Sequence, residues 1–247
     1  MKKPCTAIYR VGLFNVRMLR LLGSTKLLTL DNRFNSNAEN GARKCQLSTG
    51  PCHKMVIILA IFAYLIGSIP SGFIIGTLSG VDVRNTGSGN IGATNVARVL
   101  GKGLGVLTLL ADTAKGFVPV FVAQRLGIGD LAIALIGISA FLGHLYPVFL
   151  EFKGGKGVAT ACGVLLAVAS STLVVLIFLF GAAALCSRIV SLGSIVAALA
   201  APITLWAMSY TPIFVIMSSL LAVMVILRHR DNIKRLIAGT EPRFSLR

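Results

Sequence analysis

The sequence predicts an all-α fold, a polytopic membrane bundle of about seven transmembrane helices with five as the alternative, on three observations. Of 247 residues, 55% are hydrophobic and only 13% charged, with a mean hydropathy of +0.84. That is more apolar surface than a soluble domain can hide. The apolar residues gather into runs at 56–79, 105–123, 131–150, 158–186, 189–208 and 212–227. A span needs about 20 such residues to cross roughly 30 Å of hydrocarbon, and a helix satisfies every backbone group there. The bases, finally, collect at the ends of these runs.

Residues 1–54 differ from the rest. Lys2, Lys3, Arg10, Arg17 and Arg20 alternate with apolar residues, no acid precedes Asp31, and the segment holds 10 bases against 2 acids. It resembles an interfacial amphipathic helix or a targeting segment. The favoured division makes 1–54 a basic extension outside the working protein and 55–247 the membrane domain.

In the first run, Gly72, Gly76 and Gly80 recur every four residues and bare a strip of backbone, which predicts close helix packing. The connection 80–104 carries Asp82, Arg84, Arg98 and Lys102. In the second run Asp112 and Lys115 stand three apart on one helix face, so a structural ion pair and a role near a site are equal alternatives. The second and third runs form a hairpin whose turn carries Arg125 and Asp130, and the third ends at His144, Tyr146 and Pro147. If 80–104, 151–157 and the tail from Arg228 face the cytoplasm, they collect 11 of the 14 bases after Met55, as the positive-inside rule requires. The tail then returns to the cytoplasm only after an even number of crossings, obtained by splitting 158–186 near Ser170 and Ser171. On that topology a basic extension would have to be exported against the rule, which is why 1–54 is set apart.

The formal charge of +16 comes from 24 bases and 8 acids. Membrane orientation accounts for it, so no nucleic-acid partner is expected. Cys5, Cys45, Cys52, Cys162 and Cys186 have neither metal-ligand spacing nor the pattern of a disulfide framework.

Two glycine-rich, polar connections stand out. Residues 86–95 read TGSGNIGATN, where Gly87, Gly89 and Gly92 spell G-x-G-x-x-G; no strand precedes them, so a dinucleotide fold is not implied. Residues 153–157 read KGGKG, but Val158 stands where a phosphate-binding loop would carry Ser or Thr. The physics of anion binding survives. Glycines let N–H groups turn toward an anion, Ser88, Asn90, Thr94 and Asn95 add donors, and Arg98 follows with a planar fork. In the second loop Lys153, Gly154, Gly155, Lys156 and Gly157 supply the same elements. His144 is read either as a phosphate donor or as a residue steadying the following loop. His229 and Asn232, one helical turn apart among bases, are the stronger substrate contacts, and His229 is a candidate base. Ser191 and Ser194 share a face, and Ser194 is expected to point into a polar cavity.

Taken together, GSGNIGATNVARVLGK (87–102), DTAKG (112–116), GHLYPVFLEFKGGKGVAT (143–160), SLGSI (191–195) and LRHRDNIKRLIAGTEPRF (227–244) resemble the bacterial acyl-phosphate:glycerol-3-phosphate acyltransferase family, in order from Met55 almost to the C-terminus. The resemblance implies a seven-helix multi-pass protein of the bacterial inner membrane, active on the cytoplasmic side, with no metal or coenzyme. It implies transfer of an acyl chain from acyl phosphate to the 1-hydroxyl of glycerol 3-phosphate, giving lysophosphatidic acid and phosphate, and makes 55–247 the acyltransferase domain. A monomer is expected, with a contact to the enzyme that supplies acyl phosphate. On this reading Ser88, Asn90 and the neighbouring glycine N–H groups, helped by Lys156 and Ser194, hold acyl phosphate and stabilise the oxyanion. Arg98, His229 and Asn232 grip glycerol 3-phosphate. Gly87, Gly89, Thr94, Asn95, His144, Lys153, Gly154, Gly155 and Gly157 complete the substrate-binding set. The His and Asp of soluble acyltransferases, with four residues between them, are absent, since Phe149 follows His144 five places on and Lys234 follows His229 at the same distance. The rival reading is a transporter or flippase for phosphorylated anions, but the inverted repeat expected of one is not found.

Overall fold

In the computed structural model residues 51–244 are described, and among them every regular element is helical. The extension proposed for 1–54 falls, as far as residue 50, outside the described residues. From Val56 onward the described residues form one compact unit, and the architecture is that of this unit.

The chain opens with α1 (Pro51–Ser68) and α2 (Ser71–Leu78), interrupted at Ile69-Pro70, where proline removes a helical donor. A polar connection leads to the short α3 (Ala93–Leu100) and then to the long α4 (Lys102–Arg125). Helix α5 (Asp130–Leu145) returns and ends in a 3₁₀ turn, Val148–Leu150. There follow α6 (Val158–Val168), α7 (Ser170–Ser187), α8 (Val190–Ala207), α9 (Pro212–Arg228) and α10 (Arg230–Ile237).

Among the described residues five helices, His53–Leu78, Lys102–Arg125, Asp130–Leu150, Ser170–Ser187 and Val190–Ala207, are long and apolar enough to cross a membrane. A sixth is added if α9 and α10, bent by 59°, count as one. The protein is therefore an all-α, multi-pass membrane bundle. The count meets the alternative of five rather than seven, for a physical reason. The run 158–186 does divide, at Ala169, but its first piece has only 11 residues. At about 1.5 Å per residue it is roughly half the thickness of the hydrocarbon layer.

The bundle turns large apolar side chains outward: Leu78, Phe178 and Trp206 are 84%, 73% and 74% exposed. Its interior is a cluster that includes Val120, Ile136, Phe141, Leu145, Val164, Leu205 and Met217. Lipid tails are as apolar as these side chains, so association rests on close packing. Helices α4 and α6 illustrate it: a Cβ added at Gly116 would lie 2.1 Å from Thr160 O, and one at Gly163 1.9 Å from Thr113 O. Higher up, Gly137 of α5 meets both Val120 and Val164, and Gln124 Nε2 donates to Ala167 O at 3.1 Å. The partners ascend together, so α4 and α6 run parallel. The glycine strip of α2 has another use than helix packing: a Cβ at Gly72 would lie 1.9 Å from Ile91 O and one at Gly76 2.7 Å from Val81 O. Gly72 and Gly76 thus seat the polar connection most closely, with Val96 of α3 3.1 Å from the Gly72 Cβ position.

Candidate functional site

Three connections meet at one end of the bundle. Val83, Ile91 and Val96 of the first connection and α3 pack with Leu150, which opens the second, in a small apolar cluster of their own. The second is held to the end of α9, and α10 meets it at Lys156.

In the first loop Asn95 is the strut. It is 1% exposed; its Oδ1 accepts from Ser88 N at 2.8 Å, and its Nδ2 donates to Val83 O at 2.9 Å and Thr86 O at 3.0 Å. An amide side chain can satisfy both a backbone donor and backbone acceptors, which is why it sits where the chain is irregular. Gly87 and Gly89 have φ of +62° and +70°, a region that favours glycine. Gly89 N donates to Thr86 O, and Gly92 N to Asn90 Oδ1. The donors at 88, 89 and 92 are thus committed to the loop itself, so the expected ring of N–H groups around an anion is not how these three are used. What the loop presents outward is the exposed Ser88 hydroxyl, with Thr94 and Arg98 exposed on α3. Asn90 and Asn95 shape the loop. Arg84, bidentate on Asp82 at 2.8–3.2 Å and over the Phe73 ring at 4.4 Å, anchors its base.

The second loop folds back on α5: Gly154 N donates to Leu145 O and Gly155 N to His144 O, both at 3.2 Å. Arg228, the last residue of α9, donates from Nη2 to Gly154 O at 2.5 Å and from Nε to Gly155 O at 3.0 Å. Gly155 has no room for a side chain, since a Cβ there would stand 2.2 Å from His144 Nε2. His144, 4% exposed, lies beneath this loop, buttressing it instead of facing outward. Gly157, at φ +83°, caps α6. Lys153 swings away, its side chain 82% exposed, 3.6 Å from Glu151. Lys156 turns inward and donates from Nζ to Asn232 Oδ1. Burial drives its ammonium down to about 8; Glu241 and Asp231 oppose the shift, Arg235 and Arg228 add to it.

The third element is α10 with its tail. Asn232, 6% exposed, faces Lys156 with its oxygen and donates from Nδ2 to Glu241 Oε1 at 2.5 Å. The same oxygen accepts from Ser191 Oγ at 2.7 Å, and Oε2 accepts from Arg235 Nε at 2.7 Å. Burial alone would raise the Glu241 carboxyl, but the hydrogen bonds from Ser191, Asn232 and Arg235 hold it below its ordinary value. Phe244 N donates to Arg188 O at 2.9 Å, tying the tail to the α7–α8 turn. Glu241 went unrecognised in the sequence, where it is one acid in a basic tail. Of the two serines it is Ser191 that reaches it, while Ser194 Oγ bonds back to Val190 O at 3.1 Å. His229, 2% exposed at the α9–α10 bend, faces Val225 O with Nδ1 at 2.8 Å. A carbonyl only accepts, so Nδ1 carries the proton and Nε2 keeps the lone pair.

The site thus joins Lys156, Asn232 and Glu241 beside the Arg228-clamped loop, with the Ser88 loop packed against the same end. Its cations and neutral donors suit an anion, with the Glu241 carboxylate holding Asn232 and Arg235 in place.

Comparison with known proteins agrees. Residues 57–239 match the family described as glycerol-3-phosphate acyltransferase. The glycerol-3-phosphate acyltransferase of Geobacter sulfurreducens is 52% identical over 188 residues, covering 76% of this chain and 97% of the relative. That of Aquifex aeolicus is 47% identical over 189 residues, covering 76% and 98%. A crystal structure of PlsY, an integral membrane glycerol 3-phosphate acyltransferase in its glycerol 3-phosphate form, superposes with a TM-score of 0.75 at 46% identity, covering 77% of this chain and 96% of that one. Its lysophosphatidic acid form gives 0.73 at 45% identity, with the same coverage. The chain belongs to the glycerol-3-phosphate acyltransferase family, and it is an acyltransferase of the membrane.

Proposed function

We propose that this enzyme transfers a fatty acyl group from acyl phosphate to the 1-hydroxyl of glycerol 3-phosphate, giving lysophosphatidic acid and inorganic phosphate. One observation carries the reading: a half-buried ammonium, Lys156, held against Asn232 where three cation-bearing connections meet beside lipid-facing helices. Both substrates bring a phosphate and one brings an apolar chain, so the site must hold anions at the edge of the bilayer. The relatives' names support the acceptor.

The Ser88 hydroxyl and Lys156 hold the acyl-phosphate head and stabilise charge on the acyl oxygen and the departing phosphate, with Ser194 assisting. Arg98, Asn232 and His229 hold glycerol 3-phosphate. The 1-hydroxyl oxygen bonds to the acyl carbon, the acyl C–O bond to phosphate breaks, and phosphate leaves with the electron pair. The hydroxyl proton passes to a phosphate oxygen. His229 is the alternative acceptor, through the lone pair on Nε2. His229→Gln decides between them: turnover is retained on the first route and lost on the second.

The active end faces the cytoplasm of a bacterial inner membrane, and the enzyme works as a monomer beside the enzyme that makes acyl phosphate. The acyltransferase domain is 55–247; the family match beginning at residue 57 supports this, and wild-type turnover by a chain starting at Met55 is the test. Function is tested in detergent with purified protein. Phosphate release that needs both acyl phosphate and glycerol 3-phosphate, and does not occur with acyl-CoA or acyl-carrier protein, supports the reading. No release, as a carrier would give, rejects it.

A further inference from the structure

Inside the bundle, behind the loops, lie three charged or titratable side chains with no place in the chemistry above. Asp112 and Lys115 face each other along α4 at 2.6 Å, their side chains 3% and 7% exposed. Charges at that depth are costly and survive only when paired or useful. Lys115 Nζ also donates to Ile69 O at 2.5 Å, the carbonyl at the break between α1 and α2. Asp112 Oδ1, the oxygen paired with Lys115, also stands 3.8 Å from His144 Nδ1, and that nitrogen has no hydrogen-bond partner.

Each end of this cluster leads to one of the anion-binding loops. Through Ile69 it fixes the start of α2, whose Gly72 seats Ile91 of the first loop. Through His144 it reaches the second, because His144 Nε2 abuts Gly155 and His144 O accepts from Gly155 N. We propose that Asp112, with Lys115, is a positioning residue that sets the two phosphate-binding loops relative to each other, acting through His144 on one and through Ile69 on the other. The assignment rests on the proposed function for its kinetic consequence but on geometry alone for the mechanical one. An ion pair that only stabilised the bundle would need neither the Ile69 carbonyl nor an imidazole wedged under Gly155.

A paired apolar replacement separates positioning from stability. Breaking a buried pair by removing one partner destabilises strongly, whereas replacing both by apolar residues of similar volume is often neutral or stabilising. The Asp112→Leu/Lys115→Met double variant is therefore expected to insert, fold and melt like the wild type. If the cluster positions the loops, this well-folded variant loses about a hundredfold in kcat/KM, the scale of a 1 Å misplacement at a reacting centre. It also shows faster amide hydrogen exchange in both 86–95 and 154–157, and a changed His144 ¹⁵N signature, with exchange in α7 and α8 unchanged. Wild-type kcat and KM together with unchanged exchange in both loops overturn the proposal. If the double variant melts low, Lys115→Met read against Lys115→Arg takes its place: the arginine variant, which keeps the cation, is expected to restore loop exchange and the methionine variant is not, and equal exchange in the two overturns the proposal. If wild-type protein releases no phosphate, the functional reading falls, while the exchange data still decide whether the cluster holds the loops.

Discussion

Replacing Asn95 by alanine isolates what one side chain contributes to the Ser88 loop. Asn95 makes three hydrogen bonds, to Ser88 N, Val83 O and Thr86 O, at 2.8, 2.9 and 3.0 Å. At about 0.5–1.5 kcal/mol net for each, their loss totals about 3 kcal/mol. With about 1.4 kcal/mol per tenfold change, the population in which Ser88 is correctly held falls about a hundredfold. The deletion acts on a loop outside the main apolar core, so the thermal midpoint stays near that of the wild type. Asn95→Asp is the stricter variant: it keeps the acceptor for Ser88 N but turns a carboxylate oxygen toward the Val83 and Thr86 carbonyls, and it is expected to be at least as damaging. The assay is glycerol-3-phosphate-dependent phosphate release in detergent, with kcat and KM measured for each substrate. If Asn95→Ala remained within about threefold of wild type, the three bonds would not be holding a catalytic loop, and the reasoning would be refuted.

Three further outcomes are expected from the site and the packing. Since burial lowers Lys156 to about 8 and the charged form binds the phosphate, kcat/KM should fall as pH rises through about 8, and Lys156→Arg should move that limb upward. The linkage has the opposite sense: between about 8 and the ordinary 10.5 the unfolded chain holds the extra proton, so this group adds stability as pH rises across that window, readable as a pH-dependent melting point. Glu241→Ala leaves Ser191, Asn232 and Arg235 without their shared acceptor and should lower both the melting point and turnover, with Glu241→Gln intermediate; an unchanged melting point would remove Glu241 from its role. Gly116→Ala drives a methyl to 2.1 Å from Thr160 O and should cost about 1–3 kcal/mol of stability, while Gly103→Ala, with nothing within 4 Å, should be silent; equal melting points would contradict the α4–α6 contact.

The sequence disclosed the helices because apolar length is a local property, and it disclosed the 86–95 and 153–157 loops because glycine and neutral donors between apolar runs leave few other uses. It also marked the division of 158–186, which falls at Ala169, but a break does not reveal that the piece before it is too short to span. Glu241 was hidden because its meaning comes from chain reversal: its partners are Arg235 and Asn232 nearby and Ser191 fifty residues away. Asn95 was visible as a donor, yet whether an amide faces a ligand or its own backbone depends on the turn it sits in. Gly72 and Gly76 signalled close approach correctly, but their nearest partner is the loop, with helix α3 behind it, since a bare strip accepts a loop as readily as a helix.

The central claim is that the Ser88 loop and Lys156 grip one and the same phosphate. Solid-state NMR on the bilayer-reconstituted enzyme, loaded with a non-hydrolysable acyl phosphonate, tests it by dipolar dephasing from the single phosphorus. Dephasing at both the Ser88 Cβ and the Lys156 Nζ is predicted, and dephasing at only one of them, or at neither, would contradict the account.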